Sequence, residues 1–241
     1  MRLLYQLTSP MERTLGVEEM ERRRGVLQSH AAAGVEVEVR SIPRGPGSIE
    51  SSYDAALVVP ELLTLLVQAE RDGFDAAMIG CFSDPGLEAA RELLEMPVVG
   101  PGESALHLAA QLGSRFAIVS PGEGSGRVAA RMRALGLDGK FAGVRSISMS
   151  VLDLARQREP TLERIAEVGR RAVAEDGADV LVLGCMSMAF LGIADSLRAR
   201  IGVPVVNPVV AALKTAEMIV AMGLSHSKEA YPRPPMKEVF G

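Results

Sequence analysis

Two stretches of the chain repeat one another: residues 72–83 read DGFDAAMIGCFS and residues 176–187 read DGADVLVLGCMS. In each stretch an apolar run ends in Gly-Cys-x-Ser, which is typical of a buried strand that stops at a glycine and turns toward a helix. Downstream of the two copies, Pro-Val-Val occurs at 97–99 and again at 204–206. The repeat predicts two similar halves, each built around its own sheet.

Outside the repeat, the spacing of apolar residues alternates between strand and helix along the whole chain. The predicted strands are 3–7, 35–39, 75–80, 97–99, 115–120, 143–148, 179–184 and 203–206. The predicted helices are 17–33, 55–71, 86–94, 103–112, 125–135, 161–175, 189–199 and 209–222. The first helix has Val17, Met20, Arg24, Leu27 and Ala31 at helical spacing. This alternation predicts an α/β protein with parallel sheets of about four strands and helices on both faces.

Composition narrows the function classes. The chain has 241 residues, a net charge of −4 and 4% aromatic residues with no Trp, so neither nucleic acid nor an anionic membrane is an expected partner. Two cysteines are too few for a disulfide scaffold or a four-thiolate metal site. We find no signal-peptide pattern and no apolar run long enough to span a bilayer, so we expect a cytoplasmic protein.

The only two cysteines, Cys81 and Cys185, occupy the same position of the repeat, each just after a predicted strand. Ligands of open parallel sheets bind beyond the carboxyl ends of the strands, so both thiols are expected in a binding cleft. The following helices are expected to lower the thiol pKa toward neutrality. Gly80 and Gly184 would let substrate or backbone approach closely. Two facing thiols suit racemisation, in which one removes a proton beside a carbonyl and the other returns a proton to the opposite face.

These residues also allow other interpretations. A cysteine is often a core residue, and a disulfide between the two is possible from sequence alone. His30, His107 and His226 show no metal-ligand spacing with either cysteine, so we predict no metal. The glycine patterns at 100–102 and 122–126 lack the features of a phosphate site and are interpreted as tight turns at the cleft rim. No cofactor is predicted.

The chain resembles the aspartate/glutamate/hydantoin racemase superfamily, and most closely its hydantoin racemase branch. The resemblance rests on residues 45–51 (GPGSIES), 80–87 (GCFSDPGL), 97–100 (PVVG), 184–185 (GC) and 203–206 (VPVV). It implies two Rossmann-like subdomains related by a pseudo-twofold axis, with the active site in the cleft between them and inversion by Cys81 and Cys185 without a cofactor. The last helix would return to the first subdomain, giving residues 1–99 plus 208–241 and residues 100–207. Small homo-oligomers are common in the superfamily, so one is expected here.

Two departures concern the expected pocket wall. The family's Asn-containing run after the first strand is replaced by Thr8 and Ser9, and Met186 and Ser187 follow the second cysteine where the family usually has a small residue and Gly. The predicted substrate-binding residues are Thr8, Ser9, Phe82, Ser83, Ser120, Met186 and Ser187. The expected small-molecule substrate is a 5-substituted hydantoin, or else an amino acid or an allantoin-like compound. A maleate isomerase-like or arylmalonate decarboxylase-like cysteine enzyme, and a non-catalytic binding protein, are the alternatives.

Overall fold

Eight parallel strands form two four-stranded sheets in the computed structural model, which describes residues 1–123, 126–151, 153–154 and 158–235. The strands are β1 Arg2–Gln6, β2 Glu36–Arg40, β3 Ala76–Ile79, β4 Val98–Val99, β5 Phe116–Ser120, β6 Phe141–Ser146, β7 Val180–Leu183 and β8 Val205–Val206. The helices are α1 Met11–Thr14, α2 Val17–His30, α3 Ser52–Arg71, α4 Leu87–Leu93, α5 Pro101–Leu112, α6 Gly126–Ala134, α7 Arg158–Asp176, α8 Met186–Ala189, α9 Ala194–Ile201 and α10 Pro208–Ala221. The predicted α/β class is confirmed.

The two sheets have the same strand order. The first half of the fold is ordered β2-β1-β3-β4 and the second half β6-β5-β7-β8. Equivalent hydrogen bonds lie at the carboxyl ends of the central strand pairs β1–β3 and β5–β7. The Gly80 N–H donates to the Gln6 oxygen at 2.7 Å, and the Gly184 N–H donates to the Val119 oxygen at 2.7 Å. The sequence repeat therefore corresponds to a repeat of sheet topology, while the twofold axis itself stays a prediction.

Both repeat glycines are required by close packing against a neighbouring strand. A Cβ atom on Gly80 would lie 2.8 Å from the Leu7 Cα atom, and one on Gly184 would lie 2.6 Å from the Ile118 Cγ2 atom. Side-chain carbons do not approach other atoms so closely without displacement. The residues that approach these glycines closely therefore belong to the protein's own adjacent strands.

The helices differ from the sequence prediction in two places. The short helix α1 was not predicted, and the helix predicted over 189–199 is instead two helices, α8 and α9, with Gly192 between them. Gly192 has φ +66°, a left-handed conformation that a helix interior does not contain. Because α8 begins at Met186, Cys185 lies at its N-cap position.

Helix α2 buries Arg23 and not Arg24, the residue that lies at helical spacing with Leu27 in the sequence analysis. Arg23 and Leu27 are the buried residues of α2, whereas Arg24 is exposed and pairs with Glu21 on the surface. Arg23 is only 3% exposed. Residues 23 and 24 lie on adjacent faces of the helix, so spacing alone does not show which of them is buried. Arg23 is buried because it contacts Ser187 and Phe190, which are far away in sequence.

The last helix contacts the first half. Asn207 caps α10 by accepting a hydrogen bond from the Val209 N–H at 2.9 Å, and α10 packs against β3, β4, α2 and α5. Helix α5 in turn packs against β7 and β8 of the second half. The division into residues 1–99 plus 208–241 and residues 100–207 stays a prediction.

Helix α3 is long and apolar. By length and composition alone it could cross a membrane, and among the described residues it is the single such helix. Of its most apolar stretch, 22% is buried inside the protein. Its capping box of Ser51 and Asp54 fixes the start of the helix, and Leu62 and Leu66 pack in one buried cluster with Leu4 of β1. In this fold α3 covers one face of the first sheet.

Candidate active site

A cavity of about 560 Å3 is lined by residues at the carboxyl ends of both sheets. These residues follow β1, β3 and β7 and include the end of β5, so the two halves contribute equivalent walls. The lining includes both cysteines and every predicted substrate-binding residue: Thr8, Ser9, Phe82, Ser83, Ser120, Met186 and Ser187. We call this space the cleft cavity. The structure brings these residues together, and their roles stay predictions.

Cys81 is held in a polar corner of the cleft cavity. Its Sγ atom lies 3.2 Å from the Ser83 Oγ atom, and its thiol also hydrogen-bonds the Thr8 side chain. Burial raises the thiol pKa, and the hydrogen bonds from Ser83 and Thr8 offset part of that effect. The nearby Asp84 carboxylate adds to the increase.

Cys185 has a different set of neighbours. Burial raises its thiol pKa as well, while the nearby backbone N–H groups of Met188 and Ser187 oppose the increase. The Arg23 guanidinium also lowers the pKa of Cys185. Both cysteines are free thiols, half-buried in the lining, so the disulfide is not formed.

The prediction that helix N-termini lower both thiol pKa values below their ordinary range was wrong. Helix α4 begins only at Leu87, six residues after Cys81, and α8 is a single four-residue turn. The macrodipole effect of a helix falls off within its first turn and grows with aligned peptide units, so neither helix offsets the cost of burial.

The turn after Cys81 is fixed by Asp84 and Arg131. Asp84 accepts hydrogen bonds from the Gly102 N–H at 3.0 Å and the Glu103 N–H at 2.7 Å, and it forms an ion pair with Arg131. Burial raises the pKa of Asp84 to about 6, against the lowering effect of Arg131 and these N–H groups. The glycine pattern at 100–102 is therefore a turn whose helix N-terminus is occupied by the chain's own carboxylate.

The turn after Cys185 is held by arginines of α2. The Arg22 Nη1 atom donates to the Phe190 oxygen at 2.9 Å, and the Arg23 Nη2 atom donates to the Ser187 Oγ atom at 3.3 Å. Glu19 bonds both arginines. Two side chains from the first half thus fix a turn of the second half.

Within the described residues, no group of three or more His, Cys, Asp or Glu side chains could hold a metal ion. The cleft cavity instead combines hydroxyl groups and thiols with an apolar wall of Leu106, Ile118, Val128, Met132 and Val144. Such a lining suits an organic substrate with a polar reacting centre and an apolar substituent.

Comparisons with known proteins show the family to which this chain belongs. A family model described as "Asp/Glu/Hydantoin racemase" matches residues 17–216. The chain belongs to this family. A hydantoin racemase of Pseudomonas sp. (strain NS671) is 39% identical over 223 residues, covering 89% of this chain and 86% of that protein.

Solved structures agree with the family assignment. The allantoin racemase from Klebsiella pneumoniae superimposes with a TM-score of 0.89 at 32% identity, covering 100% of this chain and 96% of that one. The allantoin racemase from Pseudomonas fluorescens gives a TM-score of 0.90 at 31% identity and covers 100% of both chains. The resemblance inferred from sequence is confirmed, and this member of the racemase family is an isomerase.

Three arginines of the site were not found from the sequence: Arg23, Arg127 and Arg131 line the cleft cavity of this racemase-family chain, together with Glu50 and Glu123. All three lie on α2 or α6, which are rich in arginine, so charge alone does not distinguish the ones that face inward. Each inward-facing arginine has a partner in the other half or across the cavity mouth, as Arg127 bonds Ser52. Such long-range pairing has no local sequence signal.

Proposed function

We propose that this chain is a cofactor-independent racemase that inverts C5 of 5-substituted hydantoins with Cys81 and Cys185 as the two acid–base groups. One observation carries the proposal: the two thiols, at equivalent positions of the two sheets, open onto one cavity. The family assignment supports racemase chemistry, and the similarity to a named hydantoin racemase supports the substrate class.

The proposed reaction moves one proton off carbon and another back. A thiolate removes the C5 proton, the C–H electron pair moves into the adjacent C4 carbonyl, and an enolate forms. The second thiol then gives its proton to the opposite face of C5, and the electron pair returns to carbon. The product is the other enantiomer, with the thiol and thiolate exchanged between the cysteines. No oxidant, reductant or cofactor enters this balance.

Hydroxyl and N–H groups around the thiols would stabilise the enolate. Thr8, Ser9 and Ser120 lie at the carboxyl ends of β1 and β5, where hydrogen-bond donors can reach ring carbonyls. Hydrogen-bond donors stabilise the developing negative charge of the enolate more strongly in such a site than in water, because little solvent competes for it.

An uncharged ring fits the charges of the cleft cavity better than an amino acid does. Arg23 is engaged by Glu19 and Ser187, Arg127 by Ser52, and Arg131 by Asp84. A free α-carboxylate would have to compete with these partners for a guanidinium. A hydantoin carries only carbonyl and N–H groups, which the lining hydroxyls can bind.

The apolar wall favours an alkyl or aryl substituent at C5. Leu106, Ile118 and Met132 are buried side chains in that wall, and none offers a hydrogen bond to the polar ureido group of allantoin. Burying that group without partners would cost free energy, whereas burying an alkyl group gains it. We therefore expect 5-isopropylhydantoin and 5-benzylhydantoin to be better substrates than allantoin.

The test is a substrate panel with the wild-type protein. Enantiopure 5-isopropylhydantoin, 5-benzylhydantoin, allantoin, amino acids, maleate and phenylmalonate are incubated separately, and optical rotation, CO2 and fumarate are followed. The proposal expects loss of rotation, fastest with the two alkyl and aryl hydantoins. Fumarate from maleate or CO2 from phenylmalonate, without racemisation of any hydantoin, would contradict it.

A further inference from the structure

We propose that Ser83 is a catalytic residue whose hydroxyl group stabilises the Cys81 thiolate, and that Ser187, its counterpart in the repeat, does not do the same for Cys185. The proposal rests on the two-cysteine chemistry proposed above and deepens it, because it separates the roles of two serines that the sequence makes equivalent. Its basis is the different hydrogen-bond partner of each serine hydroxyl group.

The two serines occupy the same position of the repeat. Ser83 lies two residues after Cys81 and Ser187 lies two residues after Cys185, in Gly-Cys-x-Ser in both halves. Both serines line the cleft cavity, and they follow β3 and β7, which hold the same place in the strand order of their sheets. The sequence therefore predicts one role, substrate binding, for both hydroxyl groups.

The Ser83 hydroxyl group contacts the sulfur of its cysteine. The Ser83 Oγ atom lies 3.2 Å from the Cys81 Sγ atom, and either atom can be the donor while the sulfur is protonated. A thiolate has no proton and can only accept, so ionisation of Cys81 fixes Ser83 as the donor. A hydrogen bond to a charged acceptor is stronger than one to a neutral acceptor, so this contact favours the thiolate over the thiol.

The Ser187 hydroxyl group has a different partner. The Arg23 Nη2 atom donates to the Ser187 Oγ atom at 3.3 Å, and Arg23 is itself held by Glu19 at 2.8 Å. Among the residues that the structure describes, no hydrogen bond joins this hydroxyl group to the Cys185 sulfur. The groups that oppose the increase in the pKa of Cys185 include the nearby backbone N–H groups of Met188 and Ser187, which a side-chain substitution leaves in place.

The arginines that hold the two turns account for this difference. At the first turn, Arg131 donates to the backbone oxygen of Phe82 and pairs with Asp84, and neither interaction involves Ser83. At the second turn, Arg23 donates to the serine hydroxyl group itself. The serine of the first turn is therefore available to the sulfur, whereas the serine of the second turn serves to hold the turn.

The other groups near Cys81 do not replace Ser83. Asp84 is paired with Arg131, and its carboxylate raises the pKa of the Cys81 thiol. Tyr5 is buried and neutral, because burial raises its pKa above the usual range. Thr8 lowers the thiol pKa, but less than Ser83 does. Since an ionised Cys81 raises the pKa of the other thiol, the two cysteines titrate as a pair and have to be measured one at a time.

Single-thiol proteins separate the two titrations. Cys81 is measured in a Cys185→Ala background and Cys185 in a Cys81→Ala background, so that neither sulfur is affected by the charge of the other. Ser83→Ala and the hydroxyl-conserving Ser83→Thr are added to the first background. Ser187→Ala, the matched control from the second half, is added to the second.

Each protein is alkylated with iodoacetamide between about pH 7 and 11, a range around the ordinary pKa of a cysteine thiol, and the alkylated fraction is measured by intact-protein mass spectrometry. Thiolate, not thiol, reacts with iodoacetamide, so the pH at which the alkylation rate is half-maximal reports the pKa of the single cysteine. Far-UV circular dichroism verifies that each variant is folded over this range.

We expect Ser83→Ala to raise the alkylation midpoint of Cys81 by about one pH unit, while Ser83→Thr keeps it close to that of the background protein. Ser187→Ala should not raise the midpoint of Cys185. A folded Ser83→Ala protein with an unchanged Cys81 midpoint overturns the proposal, and so does an equal increase in Ser83→Thr. Equal increases for Ser83→Ala and Ser187→Ala overturn the difference assigned to the two serines.

The same measurement separates this role from substrate binding. A serine that only bound a ring carbonyl of the substrate would change KM for hydantoin racemisation and leave alkylation of the substrate-free protein unchanged, and that result also overturns the proposal. Alkylation requires no turnover, so failure here is distinct from failure of the proposed function.

Discussion

Arg131 on α6 donates a hydrogen bond of 2.7 Å from its Nη1 atom to the backbone oxygen of Phe82, the residue directly after Cys81. Helix α6 follows β5 of the second half, whereas Phe82 follows β3 of the first. A second hydrogen bond crosses between the halves in the other direction: Arg22 of the first half donates to the backbone oxygen of Phe190, which follows Cys185 in the second half. Each half therefore holds the turn behind the other half's cysteine, and the position of each thiol depends on how the halves meet.

Replacing Arg131 should impair the proposed reaction by loosening the turn after Cys81. Arg131→Met removes both the donor to Phe82 and the counter-ion of Asp84, so we expect a roughly 10- to 100-fold lower kcat, as is usual for small misplacements of catalytic groups. Unfolding in urea should show a loss on the order of 2 kcal/mol, less than for a fully buried pair because Arg131 is partly exposed.

Arg133→Met is the matched control, since Arg133 lies two residues further on the same helix with its side chain exposed. It should leave kcat and the free energy of unfolding close to wild type. Equal losses in the two variants would show that the interaction of Arg131 with the cysteine turn has no specific role.

The rate of hydantoin racemisation should increase with pH across the neutral range. Burial raises the pKa of both thiols, so the required thiolate is a minority species at pH 7. Below the first thiol pKa the fraction with one thiolate grows about tenfold per pH unit. We expect kcat/KM to increase steadily from pH 6.5 to 8.5 after subtraction of the uncatalysed rate. A plateau that begins below pH 7 would contradict the raised pKa values.

Asp84 should make the free energy of unfolding decrease as the pH rises. A surface carboxylate with a lowered pKa has the opposite effect. The pKa of Asp84 is about 6 in the folded protein against 3.8 ordinarily, so the folded state binds this proton more tightly than the unfolded state does. The resulting stabilisation is complete below about pH 4 and is lost as the pH rises through about 6. Relative to Asp84→Asn, the wild-type free energy of unfolding should therefore decrease by up to about 3 kcal/mol between pH 4 and 7.

Urea titrations of both proteins at several pH values measure that difference. Contributions of other titrating groups are common to the two proteins and cancel. A difference that is constant from pH 4 to 7 would mean that Asp84 ionises near its ordinary pKa.

The repeat glycine of the first half should tolerate no side chain. In Gly80→Ala the new Cβ atom would meet the Leu7 Cα atom at 2.8 Å and the Gln6 oxygen at 2.9 Å, and strand backbone cannot move aside locally. We expect a loss of about 3 kcal/mol, the upper range for overpacking. Gly25→Ala, inside α2 with open space around it, should instead stabilise by roughly 0.5–1 kcal/mol. Equal thermal stabilities of the two variants would exclude this packing argument.

The sequence predicted the elements whose signals are local. The alternation of strands and helices and the position of both cysteines after a strand follow from apolar spacing and from a repeat within one chain. The break at Gly192 between α8 and α9 was missed, because a glycine in an apolar run is compatible with a continuous helix until its neighbours are known.

The charged part of the site could not be predicted for a different reason. Whether Arg23 or Arg24 is buried depends on Ser187 and Phe190, more than 160 residues away, and the ion pair of Asp84 with Arg131 joins two halves of the fold. Burial likewise reversed the expected direction of the thiol pKa values, since the cost of desolvation depends on the residues that the fold packs around each sulfur and not on its neighbours in sequence.

In the proposed reaction, Cys81 and Cys185 act on opposite faces of one carbon. The most direct measurement is C5 proton exchange in D2O, followed by proton NMR and optical rotation, for Cys81→Ala and Cys185→Ala with each enantiomer of 5-benzylhydantoin. We expect that neither variant racemises the hydantoin, and that each exchanges the C5 proton of only one enantiomer with retention of configuration, a different enantiomer for each variant. Racemisation by either variant at the wild-type rate would contradict it.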